Sequence, residues 1–159
     1  MLSFFKKKPQ YLDQEFSDLA EMLTEDAQRP TYKKELLDSA KLDYSVNSLS
    51  YVEQFLGTVQ RDQLSAEQKA VLVLRCGAYL GEVVRRHSKP DFHWLGFDEA
   101  AKLSSQVGAL GMSLGTSGIL HRQPDQFAFP LGKVGKFLEG GEGDSIKMFA
   151  AVLIQGIPS

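Results

Sequence analysis

Ser65-Ala-Glu-Gln-Lys-Ala-Val-Leu-Val-Leu-Arg-Cys-Gly-Ala-Tyr-Leu-Gly-Glu-Val-Val-Arg-Arg-His87 decides how the chain is read. Ser65 with Gln68 three residues on is a capping-box pattern: the hydroxyl takes the Gln68 N–H and the amide returns to the Ser65 N–H. Glu67 in the first turn and Arg85, Arg86 and His87 in the last suit the helix dipole. The spacing therefore predicts a helix over 66–87. From Ala70 to Val84 apolar residues run almost all the way round, so this helix has neighbours on most sides. Gly77 and Gly81 each cost about 1 kcal/mol against Ala in a helix interior. One turn apart on one face, they admit a closely approaching element.

One stripe breaks the apolar surface. Arg75, Tyr79, Glu82 and Arg86 are spaced by four, three and four and line up along one face. They read either as a structural ion network, with Glu82 to Arg86 an i,i+4 pair, or as a row recognising an anionic group or a partner's charged side chain. Charges on a crowded helix must be paired to be tolerated, which favours the first.

Working towards the N-terminus, Leu12, Phe16, Leu19 and Leu23 predict an amphipathic helix to about Ala27. Tyr32, Leu36, Leu37 and Ala40 mark a second, ending near Leu42. Leu49, Val52, Phe55, Leu56 and Val59 mark a third, after the turn Asp43-Tyr44-Ser45-Val46-Asn47.

After Pro90 the pattern changes. Phe92-His93-Trp94-Leu95 reads as a strand, and Asp98 as the cap of a brief helix. Residues 107–118 alternate like a strand but carry four glycines like a loop. Ile119-Leu120-His121 and Gln126-Phe127-Ala128-Phe129 read as two strands joined by a short turn, hence antiparallel. Pro130 opens a helix with Leu131, Val134, Phe137 and Leu138 inward. Asp144 caps a last one with Ile146, Phe149, Val152 and Leu153 on its buried face.

The whole is an α+β protein, mostly α: a helical bundle around a central buried helix, with a small antiparallel sheet in the C-terminal half. Residues 1–9 read as a flexible N-terminus and 10–159 as one domain.

Charge bounds the function. The net charge of −2 argues against a nucleic-acid binder. Its distribution says more, because residues 10–62 hold eleven acids against five bases. That section is either a solvated face or a surface for a basic partner. The single cysteine, Cys76, excludes an internal disulfide, fits a reducing compartment and sits among apolar residues as a small hydrophobe. No apolar run is long enough to span a bilayer. Phe4 and Phe5 before Lys6, Lys7 and Lys8 form too short an apolar piece for a signal peptide and give at most a weak membrane contact. A cytoplasmic protein is expected.

Several pieces in order resemble an uncharacterised family of small bacterial proteins. They are Asp43-Tyr44-Ser45 with Ser48-Leu49, then Ala78-Tyr79-Leu80-Gly81-Glu82-Val83, Trp94, Phe129-Pro130 and Gly143-Asp144-Ser145-Ile146. The resemblance covers most of residues 40–155. It implies a bacterial cytosolic protein, brings no catalytic residues with it, and singles out Tyr79, Glu82 and Trp94. Immunity partners of secreted toxins are an analogy of size and kind.

Catalytic signatures are sparse. Leu131-Gly132-Lys133-Val134 lacks the first glycine and the hydroxyl of a phosphate loop. The glycines of 108–118 miss the dinucleotide spacing. Gly140 to Asp144 reads as a helix stop and restart, or as amides presented to an anion. His87, His93 and His121 lack metal-ligand spacing, so neither metal nor cofactor is expected. An enzyme would need His93 or His121 to meet Glu82 as a base in the fold. Trp94 is either a binding aromatic or plain packing over the helix. The leading expectation is a protein–protein interaction module, of immunity or antitoxin type, whose acidic helices meet a basic partner; a homodimer is left open. The alternative is small-molecule or anion binding by Arg75, Tyr79, Glu82 and Arg86.

Overall fold

The computed structural model describes residues 9–25, 28–140 and 145–155. Of the flexible N-terminus expected over residues 1–9, residues 1–8 lie outside them, and so does the Asp144 cap. In chain order the described residues form α1 (Asp13–Thr24), α2 (Leu49–Val59), α3 (Ala66–His87), β1 (His93–Leu95), α4 (Phe97–Leu103), α5 (Ser105–Leu110), β2 (Ile119–Arg122), β3 (Gln126–Ala128), α6 (Pro130–Gly140) and α7 (Ile146–Gln155). The architecture is α+β and mostly α, as the periodicities imply.

Helix α3 organises the rest. Both capping-box bonds form, Gln68 N–H to Ser65 Oγ at 3.1 Å and Ser65 N–H to Gln68 Oε1 at 2.9 Å. From Leu72 to Val84 every residue but the half-buried Leu74 is buried. Helices α1, α6 and α7 pack on it. α1 contributes Phe16, Ala20 and Leu23, and burying a Phe or Leu stabilises by about 1.5–3 kcal/mol each. The two helix glycines have different neighbours. A Cβ at Gly77 would lie 2.9 Å from the Leu131 backbone of α6, and one at Gly81 would lie 2.0 Å from the Trp94 ring. Each glycine is the space its neighbour occupies.

The sheet has the order β1-β2-β3 and is antiparallel throughout. His93 faces His121, Trp94 faces Leu120, and Leu120 faces Ala128. Because side chains alternate across a strand, Trp94, Leu120 and Ala128 join the main core with α3. Leu95 and Ile119 turn the other way, into a second cluster with Ala100 of α4 and Val107 of α5. The sheet is thus a partition between α3 and the short helices α4 and α5.

Three expectations are corrected. The helix expected to end near Leu42 is two 3₁₀ turns, Lys34–Leu36 and Ser39–Lys41. Lys33 adopts a left-handed conformation (φ 52°) and the Asp38 side chain accepts from the Ala40 N–H, local bonding that competes with an α-helix. Residues 107–118, read as either strand or loop, begin instead inside the helix Ser105–Leu110, because Ser104 caps Val107; Gly111 at φ +76° ends it and a 3₁₀ turn, Leu114–Thr116, follows. The buried face of α7 is narrower than expected: Ile146 and Ala150 are buried, but Val152 is 43% exposed.

Candidate functional site

The stripe along α3 is contiguous in sequence spacing but not in chemistry. Its four polar residues take separate partners. Arg75 donates from Nη1 to the Arg29 carbonyl (2.7 Å) and to Thr31 Oγ1 (3.0 Å). Burial lowers its hold on the proton relative to a solvated guanidinium. It borders a surface depression of about 370 Å³ with Arg29, Pro30, Tyr32, Glu67 and Gln68.

Tyr79, fully buried, secures the 43–48 turn. Its Oη accepts from the Tyr44 N–H at 2.9 Å and lies 2.7 Å from Ser48 Oγ. Since the Ser48 hydroxyl donates to the Ser45 carbonyl, the phenol proton goes to Ser48 Oγ. Tyr44, held at φ 63°, stacks its ring on Tyr79 at 4.7 Å. Arg86 covers the Tyr44 ring with its guanidinium 3.5 Å from the centroid, a cation–π contact. Arg86 therefore serves Tyr44, and the expected Glu82–Arg86 pair is replaced by another.

Glu82 and Trp94 do meet. Glu82 Oε2 accepts from Trp94 Nε1 at 3.0 Å and from Arg85 Nη1 at 2.8 Å. The i,i+3 partner wins because α3 turns position 85, not 86, towards β1 and α1. There Arg85 also reaches Asp13 Oδ2 at 3.2 Å and the Phe92 carbonyl at 3.1 Å. Asp13 completes the cluster: Oδ2 lies 2.8 Å from His93 Nδ1, and Oδ1 accepts from the Trp94 N–H at 2.6 Å. Tyr11 stacks on the His93 ring at 4.3 Å. Trp94 itself is buried, stacked on Phe16 at 4.2 Å, so in this fold it packs in the core over the helix.

Asp13 and Arg85 carry this cluster, and no sequence pattern singles them out for it. Asp13 stands at the first position of an amphipathic helix, where an acid already has a dipole role; only β1 arriving beside it reveals the second use. Chemically, the cluster places a carboxylate against an imidazole, the arrangement that orients a base. Here each carboxylate is also filled by Arg85 and by an N–H group of Trp94. The cluster works as a clamp joining the start of α1, the end of α3 and β1. His121, across from His93, is buried with Nε2 unpartnered; desolvation, then the nearby His93, lower its pKa. Burial pushes the Cys76 thiol up to about 12. Among the described residues no group of His, Cys, Asp or Glu has metal-ligand geometry, and no helix is long and apolar enough to cross a membrane.

The acids of the N-terminal section divide. Asp62 pairs with Lys33 and Tyr32, Glu53 receives Ser145 and the Lys147 N–H, and Asp38 and Asp43 close local turns. On α1 and just beyond its end, Glu15, Asp18, Glu21 and Glu25 point outward. None of these four is in an ion pair among the described residues. Met22, 38% exposed, sits among them.

Fold and site together define an α+β protein, mostly α, with an internal polar clamp and an acidic outer helix. No protein-family model matches the chain, and comparison with curated proteins and with solved structures finds no similar one.

Proposed function

We propose that this protein is a protein–protein interaction module that binds a basic partner through the outer face of α1 and acts by occlusion, as an immunity or antitoxin-type inhibitor does. The observation that carries the reading is the row Glu15, Asp18, Glu21 and Glu25. Among the described residues these acids are in no ion pair, and Asp18 accepts only from Gln14 of the same helix, whereas Asp62 is paired with Lys33 and Glu53 ties α2 to the start of α7. A row of one sign raises the local concentration of an oppositely charged surface and speeds encounter. Met22 in its midst supplies an adaptable apolar contact. The helix beneath is anchored by Phe16, Ala20 and Leu23 and by the Asp13 clamp, so the row is presented on a rigid element.

The test is capture from the native host with immobilised protein, at low and moderate salt. The wild type is compared with the fourfold variant Glu15→Lys, Asp18→Lys, Glu21→Lys, Glu25→Lys. A basic protein retained in stoichiometric amount by the wild type and released by the variant, with association slowing as salt rises, is the expected result. Recovery of no such partner, or of one indifferent to the reversal, overturns the reading.

A further inference from the structure

Helix α3 buries two charges, and the fold treats them differently. Glu82 has the Arg85 guanidinium at 2.8 Å. Arg75, 8% exposed, has no carboxylate partner among the described residues. Its Nη1 donates to the Arg29 carbonyl and to Thr31 Oγ1. Its Nε and Nη2 make no hydrogen bond or ion pair among the described residues. Those two N–H groups point the same way and form the side-on fork of the guanidinium, which matches both oxygens of a carboxylate. Buried charges are ordinarily paired; here the fold satisfies one edge of the cation and leaves the other open. Tyr44 Oη and His121 Nε2 are the described side-chain atoms that are both buried and unpartnered. The Arg75 fork is not among them, so it meets water, and it does so at the depression of about 370 Å³ that Arg75 borders.

We propose that Arg75 and this depression bind a small monocarboxylate whose apolar body is about one ring in size. The carboxylate takes the Nε–Nη2 fork, and the body lies on Val71 beside Pro30 and Tyr32, which line the same depression. Glu67, Val71 and Arg75 follow one another by four along α3 and share a face, so the depression runs from the fork over Val71. Tyr32 is held there by its hydroxyl, which donates to Asp62 Oδ2 at 2.8 Å. Three features select this ligand. Both oxygens of a carboxylate are satisfied by the fork, and the walls beyond it are carbon. A phosphate or sulfate would turn its remaining oxygens towards Pro30, Val71 and the Tyr32 ring, where they find no donor. Ser65 and Gln68, further along the helix, are occupied with each other in the capping box. Glu67 stands at the far end, about 12 Å from Arg75 along the axis. Its contact with Arg29 is long, at 3.8 Å, and both side chains are largely exposed, so its charge turns a second acidic group away. The small volume lies at the lower end of the range for ligand pockets. Tyr79, Glu82 and Arg86 take no part, and the site does not rest on the acidic face of α1.

The experiment titrates the full, isotope-labelled chain with benzoate and follows it by NMR, with benzamide as the uncharged isostere and phenyl phosphate as the dianion. Benzoate should bind saturably and at least about tenfold more tightly than either. The Arg75 Nε–H signal should shift, and its exchange with water should slow, as the fork closes on the carboxylate. Arg75→Lys keeps the charge and loses the fork, and should weaken benzoate at least about tenfold. Because Arg75 also holds Arg29 and Thr31, a second variant leaves it in place. Val71→Glu sets a carboxylate one turn before Arg75, at the i,i+4 spacing that pairs with it. It should abolish benzoate binding while the melting temperature stays at or above that of the wild type. No saturable binding, equal binding of benzamide, or benzoate binding unchanged in Val71→Glu overturns the proposal. Tighter binding of phenyl phosphate overturns it in favour of a phosphate ligand. Tighter binding of an acetylated dipeptide with a free C-terminus overturns it in favour of a peptide end.

Discussion

Trp94 donates its indole N–H to Glu82 Oε2 across 3.0 Å, inside the molecule, with the Glu82 side chain 3% exposed. One carboxylate thereby satisfies both the only tryptophan and Arg85. Removing it leaves the buried indole N–H without an acceptor and Arg85 with only Asp13 and the Phe92 carbonyl. Glu82→Ala is expected to cost about 3–5 kcal/mol, the loss typical of a broken buried pair. Glu82→Gln keeps an acceptor for the indole and should cost about 1–3 kcal/mol. Urea unfolding followed by Trp94 fluorescence measures both, and the ordering of the two variants is the critical result.

Two helix glycines should respond to alanine with opposite signs. At Gly81 the new methyl lands 2.0 Å from a Trp94 ring that Phe16 already holds by stacking. Overpacking of this kind costs about 1–3 kcal/mol, and this contact belongs at the upper end. At Gly57 in α2 no atom lies within 4 Å of the point a Cβ would take. Gly57→Ala should therefore stabilise by about 0.4–1 kcal/mol through the unfolded chain. Thermal melts of the two variants beside the wild type decide this.

Tyr79→Phe should loosen the 43–48 turn without opening the core. The ring remains, while the Tyr44 N–H and Ser48 Oγ lose their partner. A cost of about 1–3 kcal/mol is expected, with faster amide exchange at Tyr44. An unchanged exchange rate there would show that the turn holds itself.

The fold should weaken on mild acidification. The His121 pKa lies below its ordinary value, chiefly because burial penalises the imidazolium, with His93 adding to the effect and Pro124 and Asp125 opposing it. A depressed folded pKa means the unfolded chain binds the proton more readily. The stability this group contributes is present above about pH 6.5 and is lost as pH falls towards its folded value. Melting temperature should decline from pH 7 to pH 5, and less steeply in His121→Phe.

Cys76 should be inert in the native state. Its thiol is buried and pushed up to about 12, so almost no thiolate exists at pH 8. A disulfide reagent such as dithionitrobenzoate should label the folded protein only at the rate of opening, and one thiol per chain at once in denaturant.

How far the sequence reaches depends on the range of the forces involved. Helix α3 is legible to its end residues, since capping, dipole charges and periodicity are all properties of adjacent positions. The β2–β3 hairpin and its antiparallel sense are legible for the same reason, as the short turn at 123–125 leaves no alternative, whereas β1 meets β2 across residues 96–118 and the sense of that pair is set by the tertiary fold. Gly77 and Gly81 announce a close approach, but that Leu131 fills one and Trp94 the other depends on how α6 and β1 return to α3. The 3₁₀ turns near Leu36 and the helix at Ser105 escape the pattern because hydrophobic spacing there competes with single side-chain caps.

The polar stripe shows the boundary best. Spacing places Arg75, Tyr79, Glu82 and Arg86 on one face of a helix, and that is true. Which partner each one takes is decided by Thr31, Tyr44, Ser48 and Trp94, residues 12 to 44 positions away in sequence. Composition alone determined an acidic N-terminal section and a single buried-type thiol. Only the tertiary structure separated the acids that hold the fold together from the four on and just beyond α1 that face water, and only it left α7 half covered. Local pattern dictates which residues are helical and which are apolar; the surfaces that remain exposed are set by where distant elements come to rest.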